Sequence, residues 1–329
     1  MNSYGTLFKI TLYGESHQDA IGVIIDGMPS GIKVDYDLID EDLAKRKPGQ
    51  VGTTPRKEAD QVILTSGIFN DYTTGSPIHA MIKNENTQSK DYAHLVSQPR
   101  PGHADFTAKV KYHGFHDYRG GGRFSGRLTA PLVVAGSFAK MMTPFEYEHQ
   151  ILQVGTLTDL SQLDTYLLEI TKKGESVGGI IQLTVKNIPV GLGEPMFSKL
   201  ESEIGKMLFS IPAVKGVSIG TGFEGVHLMG SEFNDAIINE KGMTQTNHSG
   251  GISGGISNGN DLVVKVFIKP TSSVQTTQET FDFKNQEVTK LVIGGRHDVA
   301  IVRRVGIVLE NVLAIVLADQ YLMYKAYQK

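Results

Sequence analysis

The sequence predicts an α+β protein, because of its apolar patterning and the order of its predicted elements. Strand-like and helix-like stretches both occur along the whole chain, but they do not alternate as they do in a doubly wound parallel sheet. The chain has 329 residues, of which 40% are hydrophobic, and this is enough to bury a substantial core. No low-complexity linker divides the sequence. We therefore predict one domain over residues 1–329.

Apolar periodicity predicts eleven elements. Stretches rich in β-branched residues are typical of strands, and they cover residues 7–13, 20–26, 61–68, 78–83, 178–185 and 262–269. Stretches with apolar residues at helical spacing are typical of helices, and they cover residues 37–46, 105–113, 126–142, 196–209 and 298–325. The long polar segments between them, at 47–60, 84–103, 116–125, 231–260 and 270–295, are typical of binding loops.

The predicted helix at 298–325 is the most apolar part of the chain. Glu310, Asn311 and Asp319 interrupt its apolar positions, which favours a buried core helix over a membrane span. The longest uninterrupted apolar run, at 312–318, is far shorter than the roughly 20 residues that a membrane span needs.

Composition excludes several classes of protein. The chain has no cysteine, which rules out disulfides, thiolate metal sites and a cysteine nucleophile. Its net charge of −3 does not favour a general nucleic-acid binder. The first residues lack a basic region followed by an apolar one, so no signal peptide is predicted. No residue spacing typical of a metal site occurs, so no metal is predicted, and we expect a cytoplasmic globular protein.

Glycine is in excess: it makes up 37 of the 329 residues, or about 11%, whereas its usual share is about 7%. The clearest cluster is RGGGRFSGR at 119–127, directly before a predicted helix. Such a segment can direct backbone N–H groups and the helix N-terminus at an anion, and its arginines Arg119, Arg123 and Arg127 add guanidinium donors. The alternative is a flexible glycine loop flanked by solvated arginines.

Two further segments combine small and hydroxyl-bearing residues. GGISGGIS at 250–257 allows a flat ligand or a phosphate to lie against the main chain, although a tight turn packed on a strand is the alternative. KPTSS at 269–273 follows a predicted strand and offers one ammonium group and three hydroxyls to a phosphate. An ordinary exit from a strand is the alternative there.

Three histidines lie at element boundaries beside charged residues. His17 ends GESH at 14–17, His103 lies in RPGHAD at 100–105, and His297 lies in GRHD at 295–298. Histidine transfers protons near neutral pH, although a structural hydrogen bond is the alternative for each of them. Arg46 ends a predicted helix, where a solvated cation is equally expected. These residues together favour an enzyme or a binding protein for anionic, phosphorylated small molecules.

Seven motifs in register resemble the chorismate synthase family. They are GESH at 14–17, RPGHAD at 100–105, DYRGGGR at 117–123, GLGEP at 191–195, NHSGGISGGIS at 247–257, KPTSS at 269–273 and GRHD at 295–298. Their order and approximate spacing also match, so the resemblance covers almost the whole chain.

The resemblance implies a β-α-β sandwich fold and a homotetramer. It implies conversion of 5-enolpyruvylshikimate 3-phosphate to chorismate and phosphate by a 1,4-anti elimination, the last common step towards the aromatic amino acids. Although this reaction has no net redox change, the family needs reduced FMN, which lends electron density to the substrate and recovers it. An external flavin reductant is expected, because no separate reductase domain is visible in the sequence.

The resemblance also implies roles for individual residues. His17 would protonate the departing phosphate, His103 would stabilise the reduced flavin, and Asp298 would relay the proton from flavin N5. Arg46 and Arg127 would bind the anionic substrate. Flavin contacts are implied for Arg123, Phe124, Ser125, Pro212, Ala213, Gly254, Lys269, Pro270, Thr271, Ser272, Ser273 and Arg296.

Several positions depart from the family pattern. Gln18 follows GESH where the family has glycine, RFSGR at 123–127 replaces RSSAR, and Pro212 replaces a residue that has a backbone N–H. Gly52 lies near the place of a second substrate-binding arginine, and Val299 replaces a proline. His17, His103 and Asp298 are all retained, which favours the enzyme. A degenerate homologue that binds flavin or phosphorylated ligands without catalysis is the alternative.

Overall fold

The structure is a computed structural model and describes residues 1–54, 60–85, 94–294 and 297–328. Its strands are β1 (Ser3–Tyr4), β2 (Lys9–Gly14), β3 (Ala20–Asp26), β4 (Val62–Ser66), β5 (Ile68–Phe69), β6 (Tyr72–Thr73), β7 (Ile78–Lys83), β8 (Glu146–Val154), β9 (Gly179–Lys186), β10 (Val214–Ile219), β11 (Ile252–Ser253), β12 (Ile256–Ser257), β13 (Leu262–Ile268), β14 (Gln278–Asp282) and β15 (Glu287–Leu291). Its α-helices are α1 (Tyr36–Arg46), α2 (Asp105–Lys111), α3 (Thr129–Met142), α4 (Leu163–Lys172), α5 (Leu200–Leu208), α6 (Gly230–Phe233) and α7 (Val302–Tyr327).

Two antiparallel sheets enclose a layer of helices. The first sheet has the order β1-β2-β3-β7-β4 and the second has the order β10-β13-β9-β8. Helix α3 packs on β2, β3 and β7 of the first sheet, whereas α7 packs on β8 and β9 of the second. The two helices also pack on each other, and α1 contacts both. This sheet–helix–sheet arrangement confirms the predicted α+β class.

Strand β3 illustrates why the first sheet adheres to the helices. Its inward residues Ile21, Val23 and Ile25 are fully buried, and they alternate with positions that face the other side. Burial of one such side chain contributes about 1.5–3 kcal/mol, so one face of the sheet drives its packing against α3.

Helix α7 is the central element of the core. Within the described residues it is the helix long and apolar enough to cross a membrane, but 89% of that apolar stretch is buried inside the fold. Its polar residues have partners there. The Asp319 carboxylate accepts the backbone N–H groups of Thr6, Leu7 and Phe8, and Glu310 pairs with Lys140 at 2.7 Å. The prediction of a buried core helix is therefore confirmed.

The predicted elements all occur, with shorter ends in some cases. The helix predicted at 196–209 begins only at Leu200, because Phe197 adopts a left-handed conformation with a φ of 60°. The helix predicted at 105–113 ends at Lys111, and His113 has a φ of 54°. The segment at 126–142 opens with a 3-10 turn, Gly126–Leu128, before α3.

Some elements lack a strong sequence signal. The segment at 270–295, predicted as a long polar loop, contains the hairpin of β14 and β15. Strand β8 was missed because its solvent-facing positions are Glu146, Glu148 and Gln150, which make the segment polar. Strand β10 and helix α4 were also missed.

Candidate active site

A cleft of about 640 Å³ lies where loops from six parts of the chain meet. Its lining comes from the end of α1, the loop before α2, the glycine-rich turn before α3, the turn between α5 and β10, the end of β13 and the start of α7. Among the described residues, it contains seven lysine or arginine side chains (Arg46, Arg100, Arg123, Arg127, Lys215, Lys269 and Arg304) and one carboxylate, that of Asp298. This excess of positive charge suits an anionic ligand.

The cleft brings together most of the site residues predicted from the sequence. Those that line it are Arg46, His103, Arg123, Phe124, Ser125, Arg127, Pro212, Ala213, Lys269, Thr271, Ser272, Ser273, His297 and Asp298. His17 lies behind the wall, Pro270 lies between two lining residues, and Gly254 lies in the turn between β11 and β12. Arg296 lies outside the described residues.

The glycine-rich turn separates His17 from the cleft. Gly120, which lines the cleft, has a φ of 57°, and a Cβ added to it would lie 1.9 Å from Cε1 of the His17 ring. The turn therefore needs glycine both for its backbone conformation and for its contact with the ring. Ser16 Oγ lies 3.1 Å from Nδ1 of His17, and the Ser16 N–H donates to Gly122. These contacts hold His17, which is 9% exposed, against the turn.

His103 is held by residues of its own motif. Asp105 accepts hydrogen bonds from Nε and Nη2 of Arg100, at 2.7 and 2.8 Å, and its carboxylate lies 2.5 Å from Nδ1 of His103. Burial opposes ionisation of Asp105, but the hydrogen bonds from Arg100 and His103 hold its pKa well below the usual range. Asp105 is therefore a carboxylate at any pH near neutrality.

Arg46 and Arg127 share one buried carboxylate, that of Asp60. Arg46 donates to Asp60 at 3.2 Å and to Thr129 Oγ1 at 3.0 Å. Arg127 pairs with the other oxygen of Asp60 and donates to Asn84 at 3.1 Å. Helix α1 ends at Arg46 because Lys47, the residue before Pro48, is extended. One carboxylate thus positions two guanidinium groups and leaves this wall with a net positive charge.

Asp298 also lines the cleft, and it has a cationic partner of its own. Its carboxylate accepts the Thr54 N–H at 2.7 Å and a hydrogen bond from Arg304 at 2.8 Å. Arg304 also donates to the carbonyl of Arg46 at 2.9 Å, which joins the start of α7 to the end of α1. The carboxylate that the sequence predicted as a proton relay is therefore fixed by two donors at the cleft surface.

Lys269 and the hydroxyls that follow it form a cluster of donors. Lys269 Nζ donates to the carbonyl of Gly102 at 3.0 Å and to Ser272 Oγ at 2.9 Å. Burial, together with the nearby charge of Lys215, lowers the pKa of the Lys269 ammonium group. Thr271 Oγ1 donates to the Asp298 carbonyl at 2.9 Å. The KPTSS segment thus contributes an ammonium group and hydroxyls to the cleft lining.

Arg123 has a structural set of contacts. Its guanidinium donates to the carbonyls of Leu12 and Gly14, at 2.9 and 3.2 Å, and to the Asn2 side chain at 2.9 Å. Burial lowers the pKa of this guanidinium group. These contacts fix the glycine-rich turn to the end of β2.

Sequence reasoning missed Arg100, Asp105, Asp60 and Arg304. The first two belong to the RPGHAD motif, where an acid two residues after a histidine was an available signal. Asp60 and Arg304 had no such signal, because each meets its partners only through the fold: Asp60 bridges residues from α1 and from the turn before α3.

Comparison with known proteins gives a consistent result. A sequence model of the chorismate synthase family matches residues 8–322. The chain is 49% identical to a chorismate synthase of Chitinophaga pinensis over 98% of this chain and 97% of that protein. It is 46% identical to a chorismate synthase of Christiangramia forsetii over 99% of this chain and 98% of that protein. A crystal structure of a chorismate synthase matches 97% of this chain and 93% of its own, with a TM-score of 0.76 and 26% identity.

Proposed function

Because this chain belongs to the chorismate synthase family, we propose that the basic cleft is where it converts 5-enolpyruvylshikimate 3-phosphate to chorismate and phosphate. The activity itself follows from family membership and is a step of aromatic amino acid biosynthesis. The observation that carries the proposal for the site is the convergence of His103, Asp298 and seven cationic side chains from separate segments on one cleft.

The charge of the cleft matches the charge of the substrate, which carries a phosphate and two carboxylates. We assign Arg46 and Arg127 to substrate binding. Guanidinium groups suit carboxylates and phosphates because they donate two parallel hydrogen bonds. Asp60 supports this role, since it fixes the orientation of both arginines.

Proton transfer is assigned to His17 and Asp298. Elimination breaks a C–H bond and a C–O bond, so a base must take up the proton and an acid must neutralise the departing phosphate. Asp298, held by Arg304 and the Thr54 N–H, is suited to accept a proton at the cleft surface. His17 is assigned as the acid because the family resemblance implies that role, and one residue of the turn, Gly120, lies between its ring and the cleft.

The cleft also fits a flavin. The family is generally dependent on reduced FMN, which supplies electron density to the substrate and recovers it when the hydrogen leaves. Pro212, Ala213 and Phe124 give the lining an apolar surface for a planar ring, beside the donors of Lys269 and residues 271–273. We propose that these residues, with Ser125 and Arg123, hold reduced FMN, and that Gly254, Pro270 and Arg296 contribute to the same site. His103 would then stabilise the reduced ring.

The test is phosphate release from 5-enolpyruvylshikimate 3-phosphate under anaerobic conditions with chemically reduced FMN. Wild-type protein is expected to turn over, and His17→Ala is expected to lower turnover by about 10²-fold if His17 is a general acid. Binding of FMN without phosphate release would instead support the non-catalytic homologue. Normal turnover of His17→Ala would reject its role as the acid while leaving the family unchanged.

We also propose a homotetramer, a cytoplasmic location, an external flavin reductant and a single domain over residues 1–329. One buried apolar cluster includes residues of both sheets and of the helices between them, which supports the single domain. Exposed apolar side chains between residues 222 and 243, including Phe223 and Met229, support self-association.

A further inference from the structure

The RPGHAD motif closes a ring of contacts around the Asp105 carboxylate. Besides the two side-chain bonds from Arg100, Oδ2 of Asp105 accepts the Arg100 backbone N–H at 3.1 Å. With Nδ1 of His103 at 2.5 Å from Oδ1, three N–H groups of Arg100 and one ring nitrogen surround the two oxygens. A carboxylate has about four acceptor positions, so all of them are in use. Asp105 is consequently not available to exchange a proton with a ligand.

The shortest of these contacts indicates which nitrogen of His103 carries the hydrogen. Nδ1 lies 2.5 Å from Oδ1 of Asp105 and 3.0 Å from Nη2 of Arg100. If Nδ1 lacked a hydrogen, its lone pair would face the carboxylate oxygen at 2.5 Å, which is strongly repulsive. If Nδ1 carries the hydrogen, it donates a short charge-assisted bond to Asp105. Nη2 of Arg100 then donates to the same oxygen, at 2.8 Å, and not to the ring nitrogen.

The opposite edge of the ring faces the glycine-rich turn. A Cβ added to Gly121 would lie 3.5 Å from Cε1 and 3.6 Å from Nε2 of His103. This is an ordinary contact distance, and His103 itself lines the cleft. Nε2 is therefore on the side of the ring away from Asp105, towards the turn that covers His17.

We propose that Asp105 is a positioning residue that fixes His103 as the Nδ1–H tautomer and thereby presents Nε2 to the ligand in the cleft. Neutral His103 then offers a lone pair at Nε2, and protonated His103 donates an N–H from the same atom. Arg100 keeps Asp105 ionised and oriented. The role of Nε2 towards the ligand rests on the proposed function, whereas the assignment of the Nδ1–H tautomer rests only on the contacts of His103.

Nitrogen NMR of histidine-labelled protein tests the proposal without substrate or flavin. At a pH where His103 is neutral, its ring is expected to carry the hydrogen on Nδ1, with the signal assigned by its loss in His103→Gln. In Asp105→Asn the tautomer is expected to change, because the amide can donate to Nδ1. Asp105→Glu restores a carboxylate and is expected to recover the wild-type tautomer.

Asp117→Asn is the matched control. Asp117 also binds the arginine of its own motif, Arg119, at 2.6 Å, and its other hydrogen bond is with Gln18, in a different part of the chain from His103. This variant is expected to leave the His103 tautomer unchanged. In turnover assays, Asp105→Asn is expected to lower kcat by about 10²-fold, with recovery in Asp105→Glu.

An Nε2–H tautomer in the wild-type protein would overturn the proposal, even if no variant folds. An unchanged tautomer in Asp105→Asn would overturn it as well. If the tautomers behave as expected but no phosphate is released by the wild-type protein, the proposed function fails and the positioning role stands.

Discussion

Among single residues, Gly120 stands out because it lies between the cleft and the His17 ring. It is part of the cleft lining on one side, and its Cα lies against the His17 ring on the other. Any side chain at this position must displace either the ring or the turn, and its φ of 57° also disfavours other residues. The absence of a side chain at Gly120 therefore lets the His17 ring lie against the turn that lines the cleft.

Replacement of this glycine gives a direct prediction. Gly120→Ala is expected to lower kcat by about 10²-fold, because the added Cβ displaces the ring that we propose as the acid for the departing phosphate. Gly205→Ala is the matched control: it makes the same change in α5, where an added Cβ meets nothing within 4 Å. Steady-state kinetics with reduced FMN measures both variants. Equal kcat values would contradict the proposed role of the Gly120–His17 contact.

A cluster of buried charged side chains joins three helices, α1, α3 and α7. Lys140 on α3 donates to Asp42 at 2.9 Å and to Glu310 at 2.7 Å, and His149 on β8 lies 2.5 Å from Glu310. Burial opposes ionisation of Glu310, but the His149 and Lys140 contacts lower its pKa below the usual 4.5. The carboxylate therefore stabilises the folded state while it is ionised.

This cluster predicts a pH-dependent stability. Because the folded-state pKa of Glu310 is depressed, its contribution is fully present above about pH 4.5 and is lost as the pH falls through the folded-state value. Glu310→Gln is expected to reduce the free energy of unfolding by about 3 kcal/mol at pH 7, and by less at pH 4.

Urea denaturation at the two pH values measures the difference. Glu148→Gln, at an exposed position of the same strand as His149, is the control and is expected to change stability little. A loss in Glu310→Gln that is the same at both pH values would argue against an ionised Glu310 as the stabilising group.

Apolar patterning predicted the buried elements better than the exposed ones. Strands such as β3 and β13 are rich in buried β-branched residues, and the sequence therefore located them to within a residue. Strand β8 faces solvent with charged side chains, so its period-two pattern was weak against a polar background.

The same limit applies to the site. Residues inside motifs were found, because local spacing reflects local geometry. Asp60 and Arg304 act through contacts between distant parts of the chain, with Arg304 bonded to residue 46, and the sequence carries no local record of such pairs.

The surface of the molecule carries a stretch of exposed apolar side chains that could contact another copy of the chain. Phe223, Val226, Met229 and Ile237 are each 72–81% exposed and belong to one short stretch of chain. Removing such side chains from water is favourable by about 25 cal/mol per Å² of apolar surface. This stretch is therefore our candidate for the contact between copies of the chain.

A charged substitution in this stretch tests the assembly. Wild-type protein is expected to have the mass of a tetramer by light scattering, and Phe223→Glu with Met229→Lys is expected to give a smaller species. Phe223→Leu keeps the surface apolar and is expected to leave the mass unchanged. A monomeric wild-type protein would contradict the proposed tetramer. An unchanged mass in the charged variant would show that this stretch is not the contact between copies.

The bond between Asp319 and the N–H groups of residues 6–8 has a consequence for biosynthesis. The strands of the first sheet are synthesised early, whereas α7, which carries this carboxylate, is the last of the described helices to be synthesised. Until then α3 lacks the helix against which it packs, and its apolar surface stays accessible to water. We therefore expect the nascent chain to complete its fold late and to depend on chaperones during synthesis more than a protein with local contacts does.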